Sequence, residues 1–256
     1  SYGGSLIRPE ATGYGLVYFA REMLGAKGKS FEGATVSISG SGNVAQFACE
    51  KVLDLGGIPV TMSDSSGWIH DPAGIDREKL DWIMDLKNNR RGRISEFASH
   101  FDGVTFSKSE PEPALNGLWN VNVDVALPCA TQNEINGEEA QMLVANEVIA
   151  VAEGANMPCT PEAVEVFQTN GVLFAPGKAS NAGGVATSGL EMSQNSLRLS
   201  WSREEVDSRL DAIMVNIHKE AYETAEKYGM SGNYVAGANI AGFLKIAEAM
   251  TAQGLI

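Results

Sequence analysis

The residues from Gly40 to Ala45 have the types and spacing of a loop that binds the phosphates of a dinucleotide. They read Gly-Ser-Gly-Asn-Val-Ala and lie between a short apolar run and a stretch with helical spacing, which is the context that such a motif requires. Gly40 permits a tight turn, Gly42 lets the backbone approach a pyrophosphate, and Ala45 lets the following helix pack closely. The unpaired N–H groups at the start of that helix would bind the phosphates. The alternative is a glycine-rich turn that binds no ligand.

The end of the second apolar run carries residues that bear on the choice between NAD and NADP. It ends at Asp64, 22 residues after Gly42, where an acidic residue normally binds the adenosine ribose hydroxyls and favours NAD. Ser65 and Ser66 follow at once and could donate to a 2′-phosphate. A basic run further on, in an otherwise acidic chain, could supply the cations that this phosphate needs. The run consists of Lys87, Arg90, Arg91 and Arg93. A solvated surface run is the alternative, so spacing alone leaves both cofactors open.

Short apolar runs alternate with helical patterns over the region that holds these residues. The runs predict strands at residues 34–39, 59–62, 104–106, 123–127, 148–151 and 172–174. Helical spacing predicts helices at residues 43–55, 76–86 and 93–101, and before each of the last two strands. Strands that alternate with helices form right-handed crossovers and a mainly parallel sheet. The sequence therefore predicts an α/β, Rossmann-like, doubly wound fold.

Further helices flank this alternating region. One is predicted at residues 9–24, with Pro9 at or near its first turn, and three more at residues 182–197, 203–228 and 238–252. We expect residues 1–237 to form the dinucleotide-binding domain with its flanking helices. Residues 238–256 are expected to form a separate C-terminal helical segment.

Composition excludes several classes of function. The formal net charge of −13 argues against general binding to nucleic acid or to anionic membranes. Three cysteines without metal-ligand spacing indicate free thiols in a reducing compartment, and no metal site is predicted. There is no long apolar run and no targeting motif, so a cytoplasmic protein is expected. His70, His100 and His218 are expected at the surface.

Several longer motifs go beyond a generic dinucleotide fold and extend from one end of the chain to the other. They comprise residues 4–15 (GSLIRPEATGYG), 128–133 (PCATQN), 154–158 (GANMP), 181–185 (NAGGV), 188–195 (SGLEMSQN) and 237–243 (GANIAGF). Together these motifs closely resemble those of the hexameric, small-subunit glutamate dehydrogenases. That family reversibly deaminates L-glutamate to 2-oxoglutarate and ammonia by hydride transfer to NAD or NADP.

The resemblance assigns the cofactor residues by matching motif. Thr12 and Asn43 would hold the nicotinamide carboxamide, Asn156 the nicotinamide-side ribose, and Asn181 would lie beside nicotinamide and substrate. Other cofactor contacts are assigned to Gly40, Ser41, Gly42, Val44, Asp64, Ala130 and Thr131. Ser65, Lys87 and Arg93 match positions that face the 2′-phosphate in NADP-preferring relatives, so NADP is favoured over NAD. Without the resemblance, Thr12 reads as an ordinary helix residue and Asn43 as a helix N-cap.

The resemblance also implies a substrate pocket. Val185 and Ser188 would line it, with the Ser188 hydroxyl donating to the distal carboxylate, and Arg8 would lie near the substrate. Without the resemblance, Arg8 reads as half of a surface ion pair and Ser188 as a small residue at a helix crossing. The rival functions are a dehydrogenase of apolar amino acids, whose pocket needs no hydroxyl, and a non-catalytic dinucleotide-binding module.

The family's catalytic lysine and aspartate belong to an N-terminal substrate domain that is not recognisable in this chain. We therefore expect no catalytic residue within the chain, and no activity from the chain alone. The family resemblance implies a homohexamer for the full-length enzyme, held mainly through the N-terminal domain. This chain alone is expected to be a monomer or a weak oligomer.

Overall fold

The computed structural model describes residues 3–109 and 115–254. Residues 1–2 and 110–114 of the first predicted domain, and residues 255–256 of the second, lie outside these ranges. Within them, seven strands form one sheet in the order β4-β3-β2-β1-β5-β6-β7. The strands are β1 (Thr35–Ile38), β2 (Ile58–Asp64), β3 (Gly67–His70), β4 (Thr105–Lys108), β5 (Val125–Leu127), β6 (Ala150–Ala152) and β7 (Leu173–Ala175).

The helices of the described residues cover both faces and one end of this sheet. They are α1 (Ala11–Gly25), α2 (Asn43–Asp54), α3 (Arg77–Asp85), α4 (Ser95–His100), α5 (Gly137–Ala145), α6 (Pro161–Thr169), α7 (Gly177–Ser180), α8 (Gly183–Leu197), α9 (Arg203–Lys227) and α10 (Tyr234–Gln253). A π-helical turn, Leu86–Arg90, follows α3, and a short 3₁₀ helix, Gly117–Asn120, precedes β5.

The parallel part of the sheet confirms the predicted doubly wound fold. β1 pairs in parallel with both β2 and β5, and the parallel pairing continues through β6 and β7. The chain thus leaves β1 and β5 towards opposite sides of the sheet. The loops that follow these two strands form a crevice at their carboxyl ends, which is where ligands of this fold class bind.

The antiparallel edge of the sheet was not predicted. β3 pairs antiparallel with β2, and β4 pairs antiparallel with β3. Asp64 lies opposite Gly67 in the first of these pairs, so Ser65 and Ser66 form a two-residue hairpin turn. Four-residue strands without a sustained apolar pattern give little periodic signal, which explains why β3 was missed.

One helix begins later than predicted, and one local prediction is wrong. Helix α1 begins at Ala11 with Glu10 as its N-cap, so Pro9 lies near the first turn but just before it. His218 is buried on α9, where its Nε2 lies 2.9 Å from the Tyr234 hydroxyl and its ring meets Phe19 at 5.3 Å between centroids. An imidazole that has a hydrogen-bond partner and aromatic neighbours can be buried in its neutral form.

Helix α1 packs closely against α2 and against the start of α8. A methyl group on Gly13 would lie 2.5 Å from the Ala48 nitrogen on α2, and one on Gly15 would lie 2.8 Å from the Gly183 Cα at the start of α8. These glycines let α1 bridge α2 and α8. Within the described ranges, none of the helices has the length and apolar character needed to cross a membrane.

Candidate functional site

The phosphate loop has the geometry that the glycine motif predicts. Gly40 has φ +83°, a left-handed value that favours glycine. Its N–H donates to the Ser63 hydroxyl at 2.7 Å. A Cβ on Gly40 would lie 3.1 Å from the Cys129 carbonyl oxygen and from the Ala130 Cα. The loop after β1 therefore touches the loop after β5 with no space for a side chain.

The start of α2 offers an open cradle for a phosphate. Its N-cap is Gly42, no side chain caps the first turn, and that turn holds no acidic residue. A Cβ on Gly42 would meet no atom within 4 Å, so open space lies beside the unpaired N–H groups. By contrast, α5 is capped by the side chain of Asn136. An uncapped helix N-terminus of this kind fits a pyrophosphate.

A cleft of about 630 Å³ lies beside this cradle and brings together most of the residues predicted to bind cofactor and substrate. Those among its lining are Arg8, Thr12, Val44, Ala130, Thr131, Asn156, Asn181, Val185 and Ser188. Asn43, next to Val44, is exposed as the first residue of α2 rather than its N-cap. Ser41 is buried, and its carbonyl accepts a hydrogen bond from the Gln46 amide at 2.7 Å.

Two asparagines are held together on one side of the cleft. The Asn181 amide donates to the Asn156 side-chain oxygen at 2.9 Å and to the Ala155 carbonyl at 3.2 Å. Glu153, which is 5 % exposed, fixes the start of α7 by accepting from the Gly177 N–H at 2.6 Å. The end of β6 thereby positions both asparagines. Glu153 was not singled out by sequence, although it lies two residues after the strand predicted at residues 148–151.

Arg8 and Ser188 meet on the opposite side of the cleft. The Arg8 Nε donates to the Ser188 hydroxyl at 2.9 Å, and that hydroxyl donates to the Gly184 carbonyl at 3.1 Å. Arg8 therefore donates to Ser188, whereas the alternative interpretation of the sequence placed it in a surface ion pair. Thr12 lies against the same helix, because a Cβ on Gly184 would come 2.5 Å from its hydroxyl. Val185, 73 % exposed, adds an apolar surface.

Asp64 does not face outward as a free carboxylate. It accepts from Lys87 Nζ at 2.8 Å, from the Ile94 N–H at 2.9 Å, and from the N–H and hydroxyl of Ser66 at 2.8 and 2.5 Å. These donors outweigh burial and lower the pKa of Asp64 to about 2. A carboxyl group with that pKa stays ionised near neutral pH.

The side chains of the basic run make different contacts. Lys87 is committed to Asp64 and to the Gly92 carbonyl, 3.0 Å away. Arg93 is exposed and donates to the Ser65 hydroxyl at 2.7 Å, at the tip of the β2–β3 hairpin. Arg90 lies over the Trp82 ring instead, 4.5 Å from its centroid. Arg93 therefore presents its charge beside Ser65, whereas Lys87 and Arg90 contact other groups.

Reactive cysteine chemistry and metal binding have no support in this cleft. Burial raises the pKa of the Cys129 thiol well above its ordinary value, and nearby Glu134 raises it further, so the thiolate that a nucleophile requires is disfavoured. Among the residues that the structure describes, no group of three or more His, Cys, Asp or Glu side chains could hold a metal ion.

Comparison with known proteins extends over the whole described chain. Residues 3–254 match the family model described as Glutamate/Leucine/Phenylalanine/Valine dehydrogenase. An NAD(P)-specific glutamate dehydrogenase from Xylanibacter ruminicola is 58 % identical over 254 residues, which is 99 % of this chain and 56 % of that protein. The NADP-specific glutamate dehydrogenase of Escherichia coli is 56 % identical over 256 residues, which is 100 % of this chain and 56 % of that protein.

Solved structures agree with these relatives. Glutamate dehydrogenase from Plasmodium falciparum superposes with a TM-score of 0.94 at 45 % identity, covering 100 % of this chain and 54 % of that one. The chain thus spans a little over half the length of the relatives it matches. The chain belongs to the glutamate/leucine/phenylalanine/valine dehydrogenase family.

Proposed function

We propose that this chain is the cofactor-binding part of an NADP-linked glutamate dehydrogenase. The observation that carries the proposal is the open, uncapped start of α2 beside a cleft that contains the Arg8–Ser188 pair. The first feature fits a dinucleotide phosphate, and the second fits an acidic substrate. Relatives with 56 % and 58 % identity that are named NADP-specific and NAD(P)-specific glutamate dehydrogenases support the same assignment.

The residues around the cleft would divide the cofactor between them. The N–H groups of the first turn of α2 would bind the pyrophosphate, and Gly42 would leave room for it. Thr12 and Asn43 would hold the carboxamide, and the paired Asn156 and Asn181 would hold the adjacent ribose and the substrate side of the ring. When bound, the nicotinamide supplies a two-electron acceptor for the oxidation of the amino acid.

The hairpin tip gives the physical reason for preferring NADP over NAD. The exposed Arg93 guanidinium and the Ser65 hydroxyl lie 2.7 Å apart and form a donor pair for a 2′-phosphate. The carboxylate that would repel this phosphate is neutralised by Lys87 and saturated by three further hydrogen bonds. NAD remains the alternative, because one guanidinium has to supply most of the attraction.

The Arg8–Ser188 pair supports glutamate over an apolar amino acid. A guanidinium and a hydroxyl at one wall of the pocket are donors for a distal carboxylate, whereas an apolar side chain could accept no hydrogen bond from either group. Val185 would contact the methylene groups of the same side chain. This chain's contribution to catalysis would be orientation of the two reactants.

We propose that the acid–base residues and the main subunit contacts of the enzyme belong to a region outside this chain. The chain spans 56 % of the relatives' length, and we propose that an additional N-terminal domain supplies the acid–base residues and holds a homohexamer. The three cysteines are buried free thiols, typical of a reducing compartment, and the proposed location is the cytoplasm.

Gly42→Val tests the phosphate cradle directly. The valine side chain would occupy open space, since a Cβ there meets no protein atom within 4 Å and Gly42 has an extended backbone. We expect the fold to be retained and NADPH binding to weaken by roughly a hundredfold or more, because the side chain takes the place of the pyrophosphate. Fluorescence titration measures the affinity.

Gly242→Val is the matched control, because a Cβ at Gly242 on α10 also meets open space and lies far along the chain from the glycine motif. It should leave NADPH affinity unchanged. If Gly42→Val bound NADPH as tightly as the unaltered chain, the start of α2 would not be the phosphate site.

A further inference from the structure

The cleft depends on how two loops are held against each other. One is the phosphate loop, residues 39–43, and the other is the loop after β5, residues 128–133. Their backbones meet where a Cβ on Gly40 would lie 3.1 Å from the Cys129 carbonyl oxygen. A shift of either loop would therefore move the cradle relative to Ala130 and Thr131, which line the cleft.

A single carboxylate connects these two loops. Glu134 Oε1 accepts from the Ala130 N–H at 2.9 Å and from the Thr131 N–H at 3.3 Å. The hydroxyl of Ser39, the fully buried residue before Gly40, donates to the same carboxyl group. The Ser39 oxygen in turn accepts from the Cys129 N–H at 2.8 Å. The donor of every hydrogen bond in this network therefore belongs to one of the two loops.

The surroundings of Glu134 disfavour its charged form, so a contribution to fold stability does not explain this residue. Burial raises the pKa of its carboxyl group to about 7, and its hydrogen-bond donors only partly oppose that effect. Those donors are neutral, and the charge of another acid, Glu139, raises the pKa further. A half-buried carboxylate without a cation costs stability. Its donors lie on the cleft wall, which points to a role in shaping that wall.

We propose that Glu134 is a positioning residue for dinucleotide binding, whose carboxyl group fixes the loop after β5 against the phosphate loop. The inference rests on the proposed function and adds to it a residue that does not line the cleft. It acts through the backbone of Ala130 and Thr131 and through Ser39, without touching the cofactor.

Three variants of the chain test this role by NADPH titration and thermal unfolding. Glu134→Ala should weaken NADPH binding by about tenfold or more, because both loop N–H groups lose their acceptor. Glu134→Gln should stay within about threefold of the unaltered chain, since one amide oxygen can accept both N–H groups. Ser39→Ala should weaken binding in the same direction and provides a second variant if Glu134→Ala folds poorly.

Glu139→Ala is the matched control. Glu139 is 5 % exposed and also accepts from two backbone N–H groups, those of Asn116 at 2.7 Å and Asn136 at 2.9 Å. These groups lie away from the cleft lining. Its loss should lower the unfolding temperature but leave NADPH affinity within about twofold of the unaltered chain.

Three results would overturn the inference. They are unchanged binding in Glu134→Ala and Ser39→Ala, an equal loss of binding in Glu139→Ala, and failure of Glu134→Gln to retain binding. If the unaltered chain bound no dinucleotide at all, the proposed function would fail first, so the two failures are distinguishable.

Discussion

At the scale of single residues, Asp64 shows how a sequence rule depends on the side chain's partners. An acid at the end of the second strand ordinarily favours NAD by binding the ribose hydroxyls. Here the carboxylate receives hydrogen bonds from Lys87, Ile94 and Ser66, so it stabilises the hairpin turn. We therefore propose that cofactor preference depends on the adjacent Ser65 and Arg93.

Arg93→Ala should weaken NADPH binding by roughly tenfold or more and leave NADH binding within about twofold, because a charge-assisted bond to the 2′-phosphate is lost. Its unfolding temperature should change little. Arg90→Ala is the control from the same basic run, since Arg90 lies over Trp82. Equal losses for NADPH and NADH in Arg93→Ala would show that this arginine does not distinguish the two cofactors.

Lys87→Ala should differ from Arg93→Ala by affecting stability as well. It leaves the ionised Asp64 without its cation, which we expect to lower the free energy of unfolding by about 1–3 kcal/mol. The uncompensated carboxylate should also weaken NADPH binding. Chemical denaturation and titration measure the two effects. Unchanged stability would mean that the Lys87–Asp64 pair contributes nothing to the hairpin.

Ser188→Val tests the substrate assignment in an enzyme that also carries the N-terminal domain. The variant loses the hydroxyl that Arg8 contacts. We expect kcat/KM for glutamate to fall by roughly 10- to 150-fold, equivalent to about 1.5–3 kcal/mol, and preference to move towards apolar amino acids. Ser188→Ala separates loss of the hydroxyl from added bulk. Unchanged glutamate kinetics in both variants would place Ser188 outside the pocket.

At the scale of elements, the sequence predicts the parallel core of the fold and the start of α2. The short apolar runs of the strands and the glycine motif carry that information because burial and phosphate binding constrain residue types directly. β3 is four residues long and follows a serine turn, so its pairing depends on tertiary context. The burial of His218 likewise depends on Tyr234, which comes from the next helix.

The candidate site could likewise be predicted from the sequence only where residue types carry the signal. The motifs select residues that the structure gathers around one cleft, but they do not reveal partners. Arg8 and Ser188 are 180 positions apart, and their contact depends on how α1 and α8 pack. Glu134 was missed although it directly follows the PCATQN motif, because its role lies in hydrogen bonds to backbone N–H groups, which leave no residue-type signal in the loop.

The contact between α9 and α10 should make stability depend on pH. Burial lowers the pKa of His218, an effect that the charge of Glu22 partly opposes, while Tyr222, Tyr234 and Phe19 face the ring. Because the unfolded state then binds a proton at higher pH than the folded state, this contribution to stability is present above about pH 6.5 and is lost as the pH falls below it.

His218→Gln removes that titration. We expect the unfolding temperature of the unaltered chain to fall more steeply than that of His218→Gln between about pH 7.5 and pH 5.5. The comparison cancels other titrating groups that the two proteins share. Parallel curves would show that His218 keeps an ordinary pKa in the folded protein.

At the scale of the whole molecule, we propose that the chain provides a cofactor cleft without a complete reaction centre. Exposed apolar side chains lie on α8 and α10. They are Val185, Met192, Leu197, Phe243, Ile246 and Met250. We expect residues 1–256 alone to show no glutamate oxidation above a control without enzyme, and to sediment as a monomer or weak oligomer. Turnover or a stable hexamer from this chain would contradict the division of roles.

The central claim is that this chain binds a dinucleotide and prefers the form with a 2′-phosphate. Parallel titrations of residues 1–256 with NADPH and NADH test it most directly, since both dinucleotides share the pyrophosphate and the nicotinamide. We expect saturable binding of both, with NADPH tighter by roughly tenfold, about the contribution of one charge-assisted hydrogen bond. Equal or tighter binding of NADH would contradict the role of Arg93 and Ser65, and no binding of either would contradict the whole assignment.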